Sequence, residues 1–427
     1  MTRTAVIGAG MVGLTTAYRL AGRGEDVEVF ERDSVPGGLA ASFEPAPGGD
    51  RLERFYHHVF RSDRHFMGLA RELGLQDDVH WSAPGASCFY DGRLHALDSP
   101  RSLLTFAPLK LFQRLRLAMA LGILKASPSG RPFESVRSAG WLRRVGGKRA
   151  YSVVFDPLFR SKFGRYAEDI SLTWFWARIH DRTESLGYPR GGFVTIYERL
   201  VQRIRERGGH VRFNARVAAV EPDGKALRVR HGGQGGEAAE RFDRVVGTIP
   251  LPAFAGVAPA MPNHFYERYA PAPGLAARCV ILALDRPLTG VYWINVCEPG
   301  APFTVVVEQT ALVDPARYGG KHLVYLGNYG PSFPDVSAAS LVELFTPYLQ
   351  RLNPAFSQTW VRDAWQFVAR DAQPIVTPGY AARIAPHRTP VSGIFVANIY
   401  QVYPHDRGQN YAVHLADSVI RSMDAAS

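Results

Sequence analysis

The chain has 427 residues, 46% hydrophobic and 21% charged, with a formal net charge of +11. That length exceeds one ordinary core, so two domains are expected, and the composition excludes wholesale disorder. Cys88, Cys279 and Cys297 form no C-x-x-C pair, which argues against a dithiol relay and a cysteine-ligated zinc, so no metal site is expected. No run of eighteen apolar residues could span a bilayer, and no apolar leader precedes the first strand, so the expected address is cytoplasmic.

Residues 4–7 read as a short buried strand, Gly8-Ala-Gly10-Met11-Val12-Gly13 as a turn, 14–22 as a helix, and 27–30 as a second strand ending at Glu31. A G-x-G-x-x-G turn between strand and helix is a phosphate cradle. Gly8 permits the tight turn, Gly10 lets backbone approach a pyrophosphate, and Gly13 lets the helix pack on the sheet. The anion then meets free N–H groups at the helix N-terminus, around Met11 and Val12. Glu31, eighteen residues past Gly13, is placed to accept hydrogen bonds from ribose hydroxyls and to repel a 2′-phosphate. Arg32 follows, and then Gly37-Gly38-Leu39-Ala40 supplies a second glycine pair that a plain nicotinamide-binding fold does not require.

This opening resembles the amine-oxidase-type FAD enzymes, the superfamily of monoamine oxidases, protoporphyrinogen oxidase, carotenoid desaturases and UDP-galactopyranose mutase. The resemblance implies tightly held, non-covalent FAD, with the glycine pair running past its pyrophosphate and ribityl chain. Two later blocks extend it. Residues 192–250 read as helix, strand, strand, hairpin and closing strand, and the resemblance places Val217 on the adenine and Thr248 at the end of the closing strand. Gly393-Ile-Phe-Val-Ala-Asn398, then Asp406-Arg407-Gly408-Gln409-Asn410, resembles the closing motif, where a helix N-terminus points at the flavin pyrimidine edge. Asn398, Arg407, Gln409 and Asn410 are therefore expected at the cofactor, although Asn398 departs from the Gly-Asp more usual at that strand end.

Three stretches carry candidates for the active face. Within the loop-like residues 39–62, Phe55-Tyr56-His57-His58-Val-Phe-Arg61 resembles the mutase loop whose histidine lies by the flavin ring. His57 or His58 is then a proton shuttle or a flavin hydrogen-bond partner, the alternative being a surface histidine pair. Residues 63–75 follow as a helix with Asp63 as N-cap and Gly74 at its end. In Trp174-Phe-Trp176-Ala-Arg178-Ile-His180-Asp-Arg182, the two arginines are four apart, on one helical face, and could clamp a phosphate or carboxylate. Equally, they could pair with Asp169, Asp181 or Glu184. Tyr403, in Tyr400-Gln-Val-Tyr403-Pro-His405-Asp406, sits where the mutase places substrate-touching tyrosines.

Residues 101–150 hold eleven Lys or Arg against one acid, Glu134, so most of the net charge is concentrated there. Nucleic acid is not expected as a partner; phosphates, an anionic membrane surface and a merely solvated basic face are the alternatives. Residues 107–124 are apolar over most of a helical circumference, with Lys110, Gln113 and Arg114 on a polar side. Protoporphyrinogen oxidase resembles this in carrying a helical insertion here through which it sits on a bilayer; a core helix with a basic outer side is the other reading.

The later elements are a helix over 193–207, strands over 210–213, 217–220, 227–229 and 242–249, an antiparallel sheet over 275–330, and a helix over 341–352. A strand over 393–397 and a helix over 410–423 close the chain. The expected fold is α/β: a Rossmann-like FAD-binding domain from 1–90, 192–255 and 370–427, interleaved with a mixed α+β substrate domain from 91–191 and 256–369. No second G-x-G-x-x-G follows a strand downstream, so the flavin would be reduced by its substrate or by a nicotinamide that docks transiently. The leading function is an FAD-dependent oxidoreductase taking a hydride from a C–H bond of a small or lipophilic metabolite onto flavin N5, with an anionic substrate as one alternative. The rivals are a mutase-like enzyme acting on a nucleotide sugar with no net redox change, and a non-catalytic flavin-binding protein.

Overall fold

The computed structural model describes residues 1–233, 236–270, 274–329, 336–406 and 408–425. Among these residues a parallel sheet is built from β1 (Arg3–Ile7), β2 (Asp26–Phe30), β3 (His210–Arg212), β4 (Arg244–Gly247) and β5 (Ile394–Val396), in the order β3-β2-β1-β4-β5. The strands are short and largely apolar beyond their first residues because both faces are covered, while Arg3, Asp26, His210 and Arg244 stand at their starts. Alternation sends Val6, Val29, Val246 and Phe395 into a core with α1 (Met11–Ala21), α2 (Val194–Glu206) and α3 (Gln409–Asp424). It sends Ala5, Ile7, Phe30 and Val245 the other way, against an antiparallel meander of Arg216–Asp223, Ala226–Gly233 and Gly236–Phe242. Two residues of the hairpin expected within 192–250, Gln234 and Gly235, lie outside the described residues.

A second sheet of seven strands runs, in order, Val361–Gln373, Leu275–Leu284, His322–Tyr329, Val305–Glu308, Trp293–Val296, Ala86–Tyr90 and Arg93–Ala96. It is antiparallel except where Trp293–Val296 pairs with Ala86–Tyr90. Along Leu275–Leu284, Cys279 and Ile281 face the first domain's core, whereas Val280 and Leu282 pack under the helix Ala338–Leu352. Ala86–Tyr90 joins this sheet from within the stretch 1–90, and Val361–Gln373 runs across residue 369. A helical block between residues 100 and 180 closes one end, around Phe106, Leu117, Phe159, Trp174 and Phe175.

Two local expectations change. The stretch 39–62 is not purely loop: Ser42–Phe43 pairs with Leu52–Glu53, and Val59–Phe60 pairs with Leu186–Pro189. Asp63 does stand before the helix Arg64–Glu72, but its side chain accepts from the Phe60 N–H (2.8 Å) instead of capping that helix. The cap comes from far away in sequence: Asn410 Oδ1 accepts from the N–H groups of His65 (2.8 Å) and Phe66 (3.2 Å).

Candidate active site

One continuous cavity of about 1520 Å³ runs from the parallel sheet past the antiparallel sheet into the helical block. A single-ligand pocket is typically about 300–1,000 Å³, so there is room for a cofactor and a substrate together.

At the parallel-sheet end the backbone is shaped for a dinucleotide. A Cβ at Gly13 would stand 1.9 Å from the Gly8 carbonyl oxygen, so only glycine lets α1 approach the β1 turn. At Gly10 a Cβ would meet nothing within 4 Å, which leaves bare backbone facing the cavity. Gly37 donates its N–H to the Ala9 carbonyl (2.9 Å), so the second glycine pair lies directly against the first turn. No side chain caps α1, and Met11, Val12 and Gly13 line the cavity with the helix N-terminus open to an anion. Thr248 Oγ1 donates to the Ile7 carbonyl (2.8 Å) and so fastens the closing strand to the turn.

Glu31 ends β2 with its carboxylate accepting from the backbone N–H groups of Ala9 (2.7 Å) and Asp33 (2.9 Å). Burial raises its pKa above the ordinary value, against the lowering effect of those donors. Arg32, Leu39, Ala40 and Val217 line the same stretch of cavity. An open phosphate cradle, a ribose-side carboxylate and sufficient volume fit FAD.

The closing motif behaves differently from expectation. Gln409 and Asn410 line the cavity, but Gln409 Oε1 accepts from Tyr197 Oη (2.7 Å), and Asn410 Oδ1 is the distant cap described above. What they present to the cofactor is the start of α3, where Gly408 leaves the helix without a side-chain cap. Asn398 does not line the cavity: it is buried, and its Oδ1 accepts from the Tyr400 N–H (3.1 Å) to hold a local turn. Tyr403 is likewise elsewhere, stacked on Tyr380 at 5.7 Å in the helical block, because the chain turns its ring away from the cavity. Arg407 lies outside the described residues.

The candidates for the active face converge in the middle of the cavity. His57, His58, Arg178 and Arg182 all line it. His57 Nδ1 donates to the Phe55 carbonyl (2.7 Å), and His58 Nδ1 lies 3.0 Å from Tyr292 Oη. Burial, and then the charges of Arg182, His57 and Arg178, push the His58 imidazole down to about 3. His58 is therefore neutral near pH 7, which suits a hydrogen-bond partner and not a proton shuttle.

The two arginines do not share one helical face. The helix Leu172–His180 ends before Arg182, so helical periodicity does not set the direction of the second arginine. Arg178 forms an ion pair with Asp406, and its guanidinium lies 5.0 Å from the Trp174 ring. Trp174 Nε1 donates to the same Asp406 (3.1 Å). Asp181 is engaged elsewhere, accepting from Tyr411 Oη (2.7 Å) and pairing with His405 (2.7 Å), so it does not neutralise the arginines. Arg182 has no carboxylate partner among the described residues. Surrounding protein and the neighbouring Arg178 lower its pKa, only partly offset by Asp98.

Lys162, which no sequence motif marks as a site residue, also lines the cavity. Its Nζ lies 4.7 Å from the Tyr329 ring centroid, 4.9 Å from that of Trp174 and 5.4 Å from that of Phe163, an aromatic box opening on the cavity. Nothing in the sequence brings Tyr329 from the distant sheet to this lysine. Beyond this box the cavity becomes apolar, walled by Leu103, Leu117, Leu121, Val154, Phe155 and Leu158. Among the described residues no group of three His, Cys, Asp or Glu is placed to hold a metal ion.

A doubly covered parallel sheet with a dinucleotide cradle, facing an antiparallel sheet across one cavity, defines the class: a flavoprotein oxidoreductase of two interleaved units. Residues 11–405 match the profile of the family described as flavin containing amine oxidoreductase. The chain belongs to that family and is an FAD-dependent oxidoreductase.

Among curated relatives, it is 22% identical over 325 residues to coproporphyrinogen III oxidase of Staphylococcus aureus, covering 67% of this chain and 68% of that one. It is 26% identical over 241 residues to the 15-cis-phytoene desaturase of Solanum lycopersicum, covering 51% of this chain but only 41% of the relative. Of solved structures, reduced UDP-galactopyranose mutase superposes with a TM-score of 0.74 at 15% identity, over 100% of this chain and 96% of that one. Cyclohexylamine oxidase from Brevibacterium oxydans superposes with a TM-score of 0.71 at 16% identity, over 99% of each. At these identities the superpositions establish the fold alone.

Proposed function

We propose that the enzyme removes a hydride from a C–H bond of a lipophilic metabolite that carries an anionic group. The observation that carries this reading is the composition of the substrate end, an apolar pouch in a cavity also lined by a guanidinium, Arg182, with no carboxylate partner among the described residues. FAD, when bound, supplies the hydride acceptor. The protein's own groups then do the rest. The pouch excludes water from the substrate's apolar body, and Arg182 grips its anion with a planar fork. Asp406 and Trp174 hold Arg178 in place, and neutral His58 offers a hydrogen bond without adding charge beside the reacting carbon.

Anaerobic mixing tests this. The FAD-loaded enzyme is titrated with coproporphyrinogen III, phytoene and a series of long-chain carboxylates and phosphates, and flavin absorbance is followed. Bleaching by charged amphiphiles is expected, with Arg182→Lys raising the half-saturating concentration about tenfold, the loss of one charge-assisted contact, while leaving the resting spectrum unchanged. Turnover of a nucleotide sugar only after the flavin has been pre-reduced would replace this reading with the mutase-like one.

A further inference from the structure

Ten large hydrophobic side chains are exposed among the described residues, and six of them, Leu104, Leu111, Phe112, Leu115, Met119 and Ile123, fall within twenty positions. Five belong to the helix Leu111–Ala126. At about 100° per residue they occupy one continuous arc of about 120°, in which the other residues are Gly122 and Ala126. The opposite side is buried through Leu117, Ala120 and Leu124. A helix apolar on its outer face as well as its inner one is not an ordinary surface helix, which would turn charges outward.

The surroundings of this arc are basic and largely unneutralised. Of the eleven Lys and Arg residues in 101–150, only Arg137 and Arg143 have a carboxylate partner among the described residues. Arg116 borders the arc on one side, its guanidinium spent on the carbonyls of Val145 (2.9 Å) and Arg144. Beside it a second cavity of about 460 Å³ is lined by Phe112, Arg116, Arg143, Arg144, Lys148 and Arg149. An apolar ridge next to a cationic pocket is complementary to the two layers of an anionic lipid leaflet, acyl chain and headgroup.

We propose that the outer face of the Leu111–Ala126 helix, with the basic rim around it, docks on an anionic phospholipid surface as an interfacial helix. A second copy of the chain fits this face poorly, since an isologous contact would set one cationic rim against another at a cost of like-charge repulsion. The inner side of the same helix supplies Leu117 and Leu121 to the main cavity, so the docking face and the apolar end of the site share one element.

Co-sedimentation with vesicles tests the proposal without calling on the flavin. The FAD-loaded protein should pellet with vesicles of mixed phosphatidylglycerol and phosphatidylcholine at low salt, and be released as ionic strength rises. The triple variant Lys110→Gln, Arg144→Gln, Lys148→Gln should lower partitioning about a hundred-fold, while Arg114 and Arg116, which bond backbone carbonyls, are left intact. Phe112→Ser with Leu115→Ser should abolish binding, and an unchanged flavin content would show that both variants fold. Full recovery of the wild type in the supernatant at low salt overturns the proposal, as does binding that survives both variants. A dimer in the absence of lipid that Phe112→Ser with Leu115→Ser splits into monomers also overturns it, in favour of a second copy as the occupant.

Discussion

Glu31 combines two tasks that sequence reading separates. Its carboxylate lines the nucleotide end of the cavity, and the same two oxygens accept backbone N–H groups from the glycine turn and from Asp33. Glu31→Ala should therefore do more than remove a ribose contact. FAD affinity is expected to fall by about 1.5–3 kcal/mol, the scale of charge-assisted hydrogen bonds, and the cofactor-free protein should also melt earlier because the buried Ala9 and half-buried Asp33 N–H donors lose their acceptor. Fluorescence titration with FAD measures the first and thermal unfolding of the apoprotein the second. An apoprotein as stable as wild type would show that the carboxylate does not brace the turn.

At the scale of elements, the short strand Leu52–Glu53 carries an unusual group into the core. Glu53 is fully buried and accepts from Tyr188 Oη (2.6 Å) and the Phe193 N–H (2.7 Å), which ties the strand to the loop that leads into α2. Burial outweighs these donors and lifts its pKa from 4.5 to about 7. Between those two values the folded protein holds a proton that the unfolded chain has released. Glu53 thus contributes stability that is fully present below about pH 4.5 and is lost as pH rises through about 7. His58 works in the opposite direction, since its imidazole is lowered from 6.5 to about 3, so stability is lost as pH falls across that window. The Glu53 component is isolated by comparing wild type with Glu53→Gln: the variant should gain stability relative to wild type as pH rises from 5 to 8 in urea melts. Parallel pH profiles for the two proteins would assign the proton elsewhere.

For the whole molecule, the three cysteines report on cooperativity. Cys88, Cys279 and Cys297 are fully buried, on strands of the antiparallel sheet or just beyond one. Burial pushes the Cys279 and Cys297 thiols well above their ordinary values. A thiol reagent such as DTNB should find no reactive cysteine in the folded enzyme, and all three should become reactive together with loss of the sheet. Reaction of one thiol before the others would identify a region that opens by itself. Cys88 and Cys297, distant in the chain, interact across neighbouring strands, a proximity that the absence of a C-x-x-C motif could not exclude.

What the sequence determined by itself was the nucleotide end. The G-x-G-x-x-G turn, Glu31 and the pair Gly37-Gly38 lie within about thirty residues, and their geometry is set by local backbone requirements: a helix start, a close approach, a strand end. The segment-wise interleaving of the fold was legible for a similar reason, because periodicity and turn residues mark each element where it stands. The substrate end was not legible in this way. Its box around Lys162 needs Trp174 and Tyr329 from separate elements, and Arg178 finds its partner in Asp406 rather than in the sequence-near Asp181. Resemblance misplaced Asn398 and Tyr403 because backbone position does not say which way a side chain turns, and both are held by neighbours within their own turn or block. A phosphate cradle is made by consecutive backbone N–H groups, so a single stretch of chain specifies it. A substrate pocket is made by side chains that meet only after two sheets and a helical block have packed, and only the tertiary structure decides which of them do.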